Sequence, residues 1–154
     1  MQKIKRVIIP VDLSDGSRVA AEQGAFFAKL LDVEVSIITV DDTNQFMVSA
    51  MLEQRAAEAK QQRLDEVKKI AEHEGVSVST LIKKGVPSEE IIQHATEEDL
   101  IVMASQGKKG YNRLMLGSVS EEVLRSAPCS VMIIKPRNEQ ATDSLLRSAQ
   151  AYTK

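Results

Sequence analysis

A chain of 154 residues, 43% hydrophobic and 27% charged, is long enough for one domain with a real core and too apolar to be disordered. A net charge of −2 argues against a general nucleic-acid binder, and with aromatics at 3% and no Trp, stacking platforms for single strands are scarce. The single cysteine, Cys129, excludes an internal disulfide and suits a reducing compartment; at the start of an apolar run it reads as a small buried hydrophobe.

In chain order, the first apolar run is Ile4–Val11, within MQKIKRVIIPVD. It is too short for a signal peptide and lacks a small-residue cleavage site, and no run approaches the roughly 20 residues of a membrane span. A cytoplasmic location is expected. Ser17–Leu31 follows with apolar residues at helical spacing (Ala20, Ala21, Ala25, Phe27, Ala28, Leu31), and Val33–Val40 is a second strand. Phe46–Glu74 reads as a long helix with an apolar stripe at Met47, Met51, Leu64, Val67 and Ile70. Val76–Ile82 is the third strand. Ser88–Thr96 follows Pro87, a residue suited to a first helical turn. Leu100–Ala104 is the fourth strand, Val119–Ser126 a short helix ending before Pro128, and Ser130–Ile134 the fifth strand. Residues 137–154 form a polar tail outside a domain of residues 1–136.

Strict β-α alternation predicts an α/β fold, a doubly wound parallel five-stranded sheet with helices on both faces. Strand order 3-2-1-4-5 is expected. The order then reverses between strands one and four, and ligands bind outside their carboxyl ends. Asp12 follows strand one and the segment from Ala104 follows strand four, so two distant segments meet at one crevice.

The second of these is rich in anion-binding features: Gly107, Lys108, Lys109, Gly110 and Arg113, then Gly117 and Ser118 opening a helix. Glycines let backbone N–H groups approach phosphate, lysines neutralise it, and a helix start presents unpaired N–H groups. The same residues have a plain reading: Ser118 and Glu121 have the spacing of a capping box, and the lysines are solvated. Asp12 can accept hydrogen bonds from a base amine or a ribose, or it can cap the following helix, as can Ser14 or Asp15. Val40 ends strand two at the same rim, where main-chain groups suit an adenine edge. No G-x-x-x-x-G-K-[ST] loop and no G-x-G-x-x-G is present. His73 and His94 lack partners at metal spacing and read as surface histidines. A phosphorelay receiver is rejected, because strand one ends in Asp12 alone and strand three runs into Lys83-Lys84-Gly85-Val86-Pro87.

The stretches VIIPVDLSDGS, SIITVDD, KKGVPSEEIIQHA, DLIVMASQG and LMLGSVSEEVLRSAPCSVMIIKP together resemble the universal stress protein family over residues 3–136. The resemblance implies a Rossmann-like, adenine nucleotide alpha hydrolase-like fold and a stress-response function. Family members that bind ATP show G-x2-G-x9-G-[ST]. Its later positions fall on Gly107, Gly117 and Ser118, while Ala104 stands where the first glycine belongs. Alanine there costs on the order of 1 kcal/mol if the position requires a positive φ, and almost nothing otherwise.

The implied nucleotide site comprises Pro10, Val11 and Asp12 after strand one, and Thr39 and Val40 after strand two. Met103, Ala104, Ser105, Gln106, Gly107 and Lys108 follow strand four, and Gly117, Ser118, Val119 and Ser120 open the last helix. The expected ligand is ATP (or ADP or AMP) with Mg²⁺, bound for regulation with no dedicated catalytic step and at most slow, incidental hydrolysis. A homodimer through the fifth strand, Cys129–Ile134, is implied, and an apolar edge strand needs such cover. The alternative is a dimeric stress protein that binds no nucleotide and acts through protein partners, a reading favoured by Ala104.

Overall fold

The computed structural model describes residues 3–43, 49–105 and 116–135. Along it run β1 (Arg6–Val11), α1 (Gly16–Leu31), β2 (Glu34–Asp41), α2 (Ala50–His73), β3 (Val78–Lys84), α3 (Pro87–His94), β4 (Asp99–Ala104), α4 (Ser118–Ser126) and β5 (Ser130–Ile134). The strands form one parallel sheet in the order β3-β2-β1-β4-β5, as expected. Strand and helix limits differ from the sequence expectation by a few residues, notably at β3, which runs on through Lys83 and Lys84.

Alternation along β1 divides two cores. Val7, Ile9 and Val11 face α1 and α2 with Val35, Ile37, Leu100 and Val102; Ile8 faces α3 and α4 with Ile38, Ile101 and Met103. Burial on both faces is why these strands read as continuous apolar runs. Each fully buried Ile or Val contributes about 1.5–3 kcal/mol.

The helix next to β1 is lined with small residues, and Gly24 explains why. A Cβ there would stand 2.5 Å from Ile9 Cδ1 and 2.8 Å from its Cγ1, so any side chain at this position would force Ile9 to shift. The helix ends at Asp32, whose φ of 57° turns the chain and whose N–H reaches Ala28 O and Lys29 O. In α2 the apolar stripe is real at Leu64 and Val67, which are buried, and at Ile70, which packs part-buried against the same core, but Met51 is 66% exposed and belongs to no core. The first turns of α2 extend past the packed region, so helical spacing there reports no burial. Met47 lies outside the described residues.

His94 is a second departure. It is half-buried at the end of α3, with Nε2 3.1 Å from Ser36 Oγ. Burial and then the neighbouring Arg6 charge hold its pKa below the ordinary imidazole value, with Lys83 adding to the effect and Asp99 opposing it. Cys129 is part-buried against the α3/α4 core, where burial pushes its thiol pKa up.

Candidate functional site

The β1–β4 ladder is short. It pairs Arg6 with Asp99, Val7 with Leu100 and Ile8 with Ile101, then stops, while β1 stays paired to β2 as far as Val11↔Thr39. Pro10 has no N–H to donate, which suits a strand leaving its ladder. Beyond Ile8 and Ile101 the two strands carry no shared rungs, and their carboxyl ends form the mouth of the candidate site.

At the foot of this seam the strands are stapled. Asp99, 3% exposed, takes Arg6 Nε at 2.9 Å and Nη2 at 2.8 Å, together with Thr96 N at 2.7 Å and Thr96 Oγ1 at 3.1 Å. Burial alone would raise the Asp99 pKa, but the Arg6 and Thr96 bonds outweigh it and hold the carboxyl below its ordinary range. Lys5 N donates to Glu98 O beside it.

At the mouth, Asp12 ends β1 and is exposed. Ser14 N donates to its Oδ1 at 2.8 Å and Ser17 Oγ at 3.0 Å, with Ser14 Oγ on the same oxygen. Among the described residues no hydrogen bond reaches Oδ2. Asp12 therefore organises the β1–α1 turn. The N-cap position of α1 is Asp15, which makes no side-chain cap bond. Pro10, Val11 and Thr39 are buried, and Val40 stands one position past the last β1–β2 rung while still opposite Lys83 of β3.

Across the mouth, Met103 is 5% exposed and packs into the α3/α4 core. Ala104 closes β4. Asp32 is the only non-glycine with a positive φ among the described residues, so Ala104 has an ordinary backbone and replaces glycine without strain. The chain beyond is fastened at both ends. Ser105 N donates to Ile134 O at 3.0 Å, Gly117 N donates to Ser105 O at 2.8 Å, and Ser120 Oγ donates to Ala104 O at 2.9 Å. Buried Ser120 thus seats α4 on β4. The capping box does not form: Gly117 is the N-cap, without a side-chain bond, and exposed Ser118 is the first helical residue. Gln106, Gly107 and Lys108, with Lys109, Gly110 and Arg113, lie outside the described residues.

The sequence reading missed a second set of residues. Arg63 Nη1, from α2, donates to Ser14 O, and its Nε lies 3.2 Å from Glu66 Oε2. Glu66 also holds Arg18, which reaches Asp15 at 2.8 Å. One turn earlier, Lys60 is paired with Asp41 at the end of β2; that bond, with a further one from Thr43, brings the Asp41 pKa down to about 2. The contacts that tie this set together, Arg63 to Ser14, Glu66 to Arg18 and Lys60 to Asp41, join residues far apart in the chain and leave no local pattern.

Against known proteins, the model of the universal stress protein family matches residues 3–135. Universal stress protein MJ0531 of Methanocaldococcus jannaschii is 39% identical over 148 residues, covering 88% of this chain and 85% of that protein. Two solved folds are alike at lower identity. A universal stress protein in complex with cAMP has a TM-score of 0.69 at 22% identity, covering 86% of this chain and 97% of that one. The universal stress protein from Archaeoglobus fulgidus in complex with dAMP has a TM-score of 0.67 at 21%, covering 88% and 100%. The parallel sheet, the order of its strands and the match over nearly the whole folded region agree: the chain belongs to the universal stress protein family.

Proposed function

We propose that the protein binds an adenine nucleotide, ATP with Mg²⁺, in the crevice between β1 and β4, and that occupancy regulates a stress response without a dedicated catalytic step. The observation that supports this reading is the strand order, which sets β1 beside β4, with an exposed carboxylate following the first and a helix start following the second. Asp12 has Oδ1 engaged by its own turn, leaving Oδ2 for a ribose hydroxyl or a base amine. Opposite it, Ser118, Val119 and Ser120 open α4, where backbone N–H groups have no intrahelical acceptor and favour anions. Val40 would offer main-chain atoms to the base, and Gly107 and Lys108 would complete the phosphate contacts.

The cAMP and dAMP held by the two fold neighbours support an adenine ligand. Among the described residues no group of three His, Cys, Asp or Glu side chains could hold a metal, so Mg²⁺ would be carried on the phosphates. Among the described residues, the groups with displaced pKa values are engaged elsewhere or in ion pairs. His94, Asp99 and Cys129 sit at the opposite end of the strands, and Asp41 is tied to Lys60.

Calorimetric titration with Mg-ATP, on protein first checked for co-purified nucleotide, tests the assignment. Saturable binding in the micromolar range is expected. A flat trace on empty protein would refute it and favour the partner-binding reading, for which Met51 and Leu52, 66% and 54% exposed on the first turn of α2, supply a surface. We also propose that two copies pair through β5, which stands at the sheet edge with Val131 to Ile134 only half covered. Sedimentation as a dimer is expected, and a monomer at tens of micromolar would refute the pairing. Among the described residues no helix is long and apolar enough to cross a membrane.

A further inference from the structure

Resting on the nucleotide reading above, we propose that Arg63 is a positioning residue. From α2 it fixes the β1–α1 turn so that the Asp12 carboxylate is presented to the adenosine half of the ligand. The route is short. The Arg63 guanidinium donates to the carbonyl oxygen of Ser14, and the N–H of that same residue donates to Asp12 Oδ1 at 2.8 Å. Ser17 completes the turn: its Oγ donates to Oδ1 at 3.0 Å and accepts from Asp12 N at 2.8 Å. The two of these bonds that reach the carboxylate, from Ser14 N and Ser17 Oγ, both fall on Oδ1, so the turn sets the direction of Oδ2.

Arg63 is not a solvated surface charge. Its side chain is 13% exposed, and Glu66 balances it at 3.2 Å. Glu66 in turn holds Arg18, and Arg18 holds Asp15 at 2.8 Å. Two successive residues of the turn, Ser14 and Asp15, are therefore fastened by two arginines that share one carboxylate. One turn earlier on α2, Lys60 secures Asp41 beside Val40. A single helix thus holds both strand ends that would face adenosine. With its charge answered by Glu66 and a donor given to Ser14, Arg63 acts through geometry and not as a phosphate ligand.

The test titrates wild type, Arg63→Met, Asp12→Asn and the double variant with adenosine, AMP and Mg-ATP, and records each melting temperature. Arg63→Met should weaken all three ligands by the same factor, about tenfold, the scale of a hydrogen bond involving a charged group. In the Asp12→Asn background it should cause no further loss, because the two act as one unit. Arg63→Lys, which keeps the charge and one donor, should fall between wild type and Arg63→Met, and it carries the test if Arg63→Met does not fold.

Three results would overturn the role: affinities unchanged by Arg63→Met, a loss confined to Mg-ATP with adenosine spared, or independent additive losses in the double variant. Wild-type protein that binds none of the three compounds would instead overturn the nucleotide reading, and the positioning role with it.

Discussion

Asp99→Ala is expected to cost about 3 kcal/mol of folding stability, toward the lower end of what breaking a buried ion pair costs. The substitution strips the buried end of β4 of a carboxylate that satisfies two Arg6 donors and the Thr96 amide and hydroxyl. The lower end applies because the Arg6 side chain remains 23% exposed and can rehydrate. Against a typical total of roughly 5–15 kcal/mol the loss is large, and for a domain of this length it lowers Tm by roughly 10 °C. The effect should be local in origin: with so few β1–β4 rungs, the ion pair reinforces the three that close the seam at its foot. Urea unfolding of the variant checks this, and a midpoint equal to wild type would sink the argument.

Replacing both partners by apolar residues, as in Arg6→Met with Asp99→Leu, should recover most of the loss, because no charge is then left unanswered. The pH dependence has a definite sign. The folded pKa of Asp99 lies below its unfolded value, so its contribution is complete above the unfolded pKa and is lost as pH falls through the folded one.

Gly117→Leu should abolish nucleotide binding while the fold survives. The backbone at Gly117 has φ −66° and ψ 157°, a conformation any residue adopts, so the change introduces no strain. Its N–H bond to Ser105 O involves no side chain and persists. The structural loss is limited to a poorer N-cap, about 1 kcal/mol. On the proposed site the functional loss is greater, because a branched side chain at the helix start would stand where the phosphate oxygens of the nucleotide would approach the free N–H groups. Losing two such charge-assisted contacts, at roughly 1.5–3 kcal/mol each, weakens binding by at least about a hundredfold. Titration of the variant beside a thermal melt separates the two effects, and retained affinity with an intact fold would remove α4 from the phosphate site.

Much of this molecule is legible in its sequence because its strands are covered on both faces. Val7-Ile8-Ile9 and Leu100-Ile101-Val102 serve two cores at once, so burial writes itself as unbroken aliphatic runs. With β-α alternation and right-handed crossovers, little freedom remains in strand order. That β1 and β4 lie side by side follows from that order, with Asp12 after the first and Gly117 opening the helix that follows the second.

What escaped the sequence was decided by contacts between distant segments. His94 looks like an isolated surface residue until α3 sets it against Ser36. Met51 fits a helical stripe, but α2 outruns the sheet it packs on. Ser118 and Glu121 have the spacing of a cap, yet the tie from Gly117 to Ser105 starts the helix one residue earlier than that cap requires. Ala104 posed a question of backbone angle that spacing cannot answer, and an ordinary φ resolves it. Arg63 carries no motif, since its meaning lies in a carbonyl on another element.

The bond from Gly117 N to Ser105 O also bears on how this scaffold can change. It closes the intervening segment at its base, and Ser105 N on Ile134 O and Ser120 on Ala104 O brace the closure from both sides. The entropy of such a closed segment grows only with the logarithm of its length, about 0.6 kcal/mol per doubling. The segment is then an exchangeable cassette. The length of chain joining Ser105 to Gly117 can drift while the sheet beneath registers almost nothing. One frame can in this way accept insertions and deletions between β4 and α4 and keep its sheet intact.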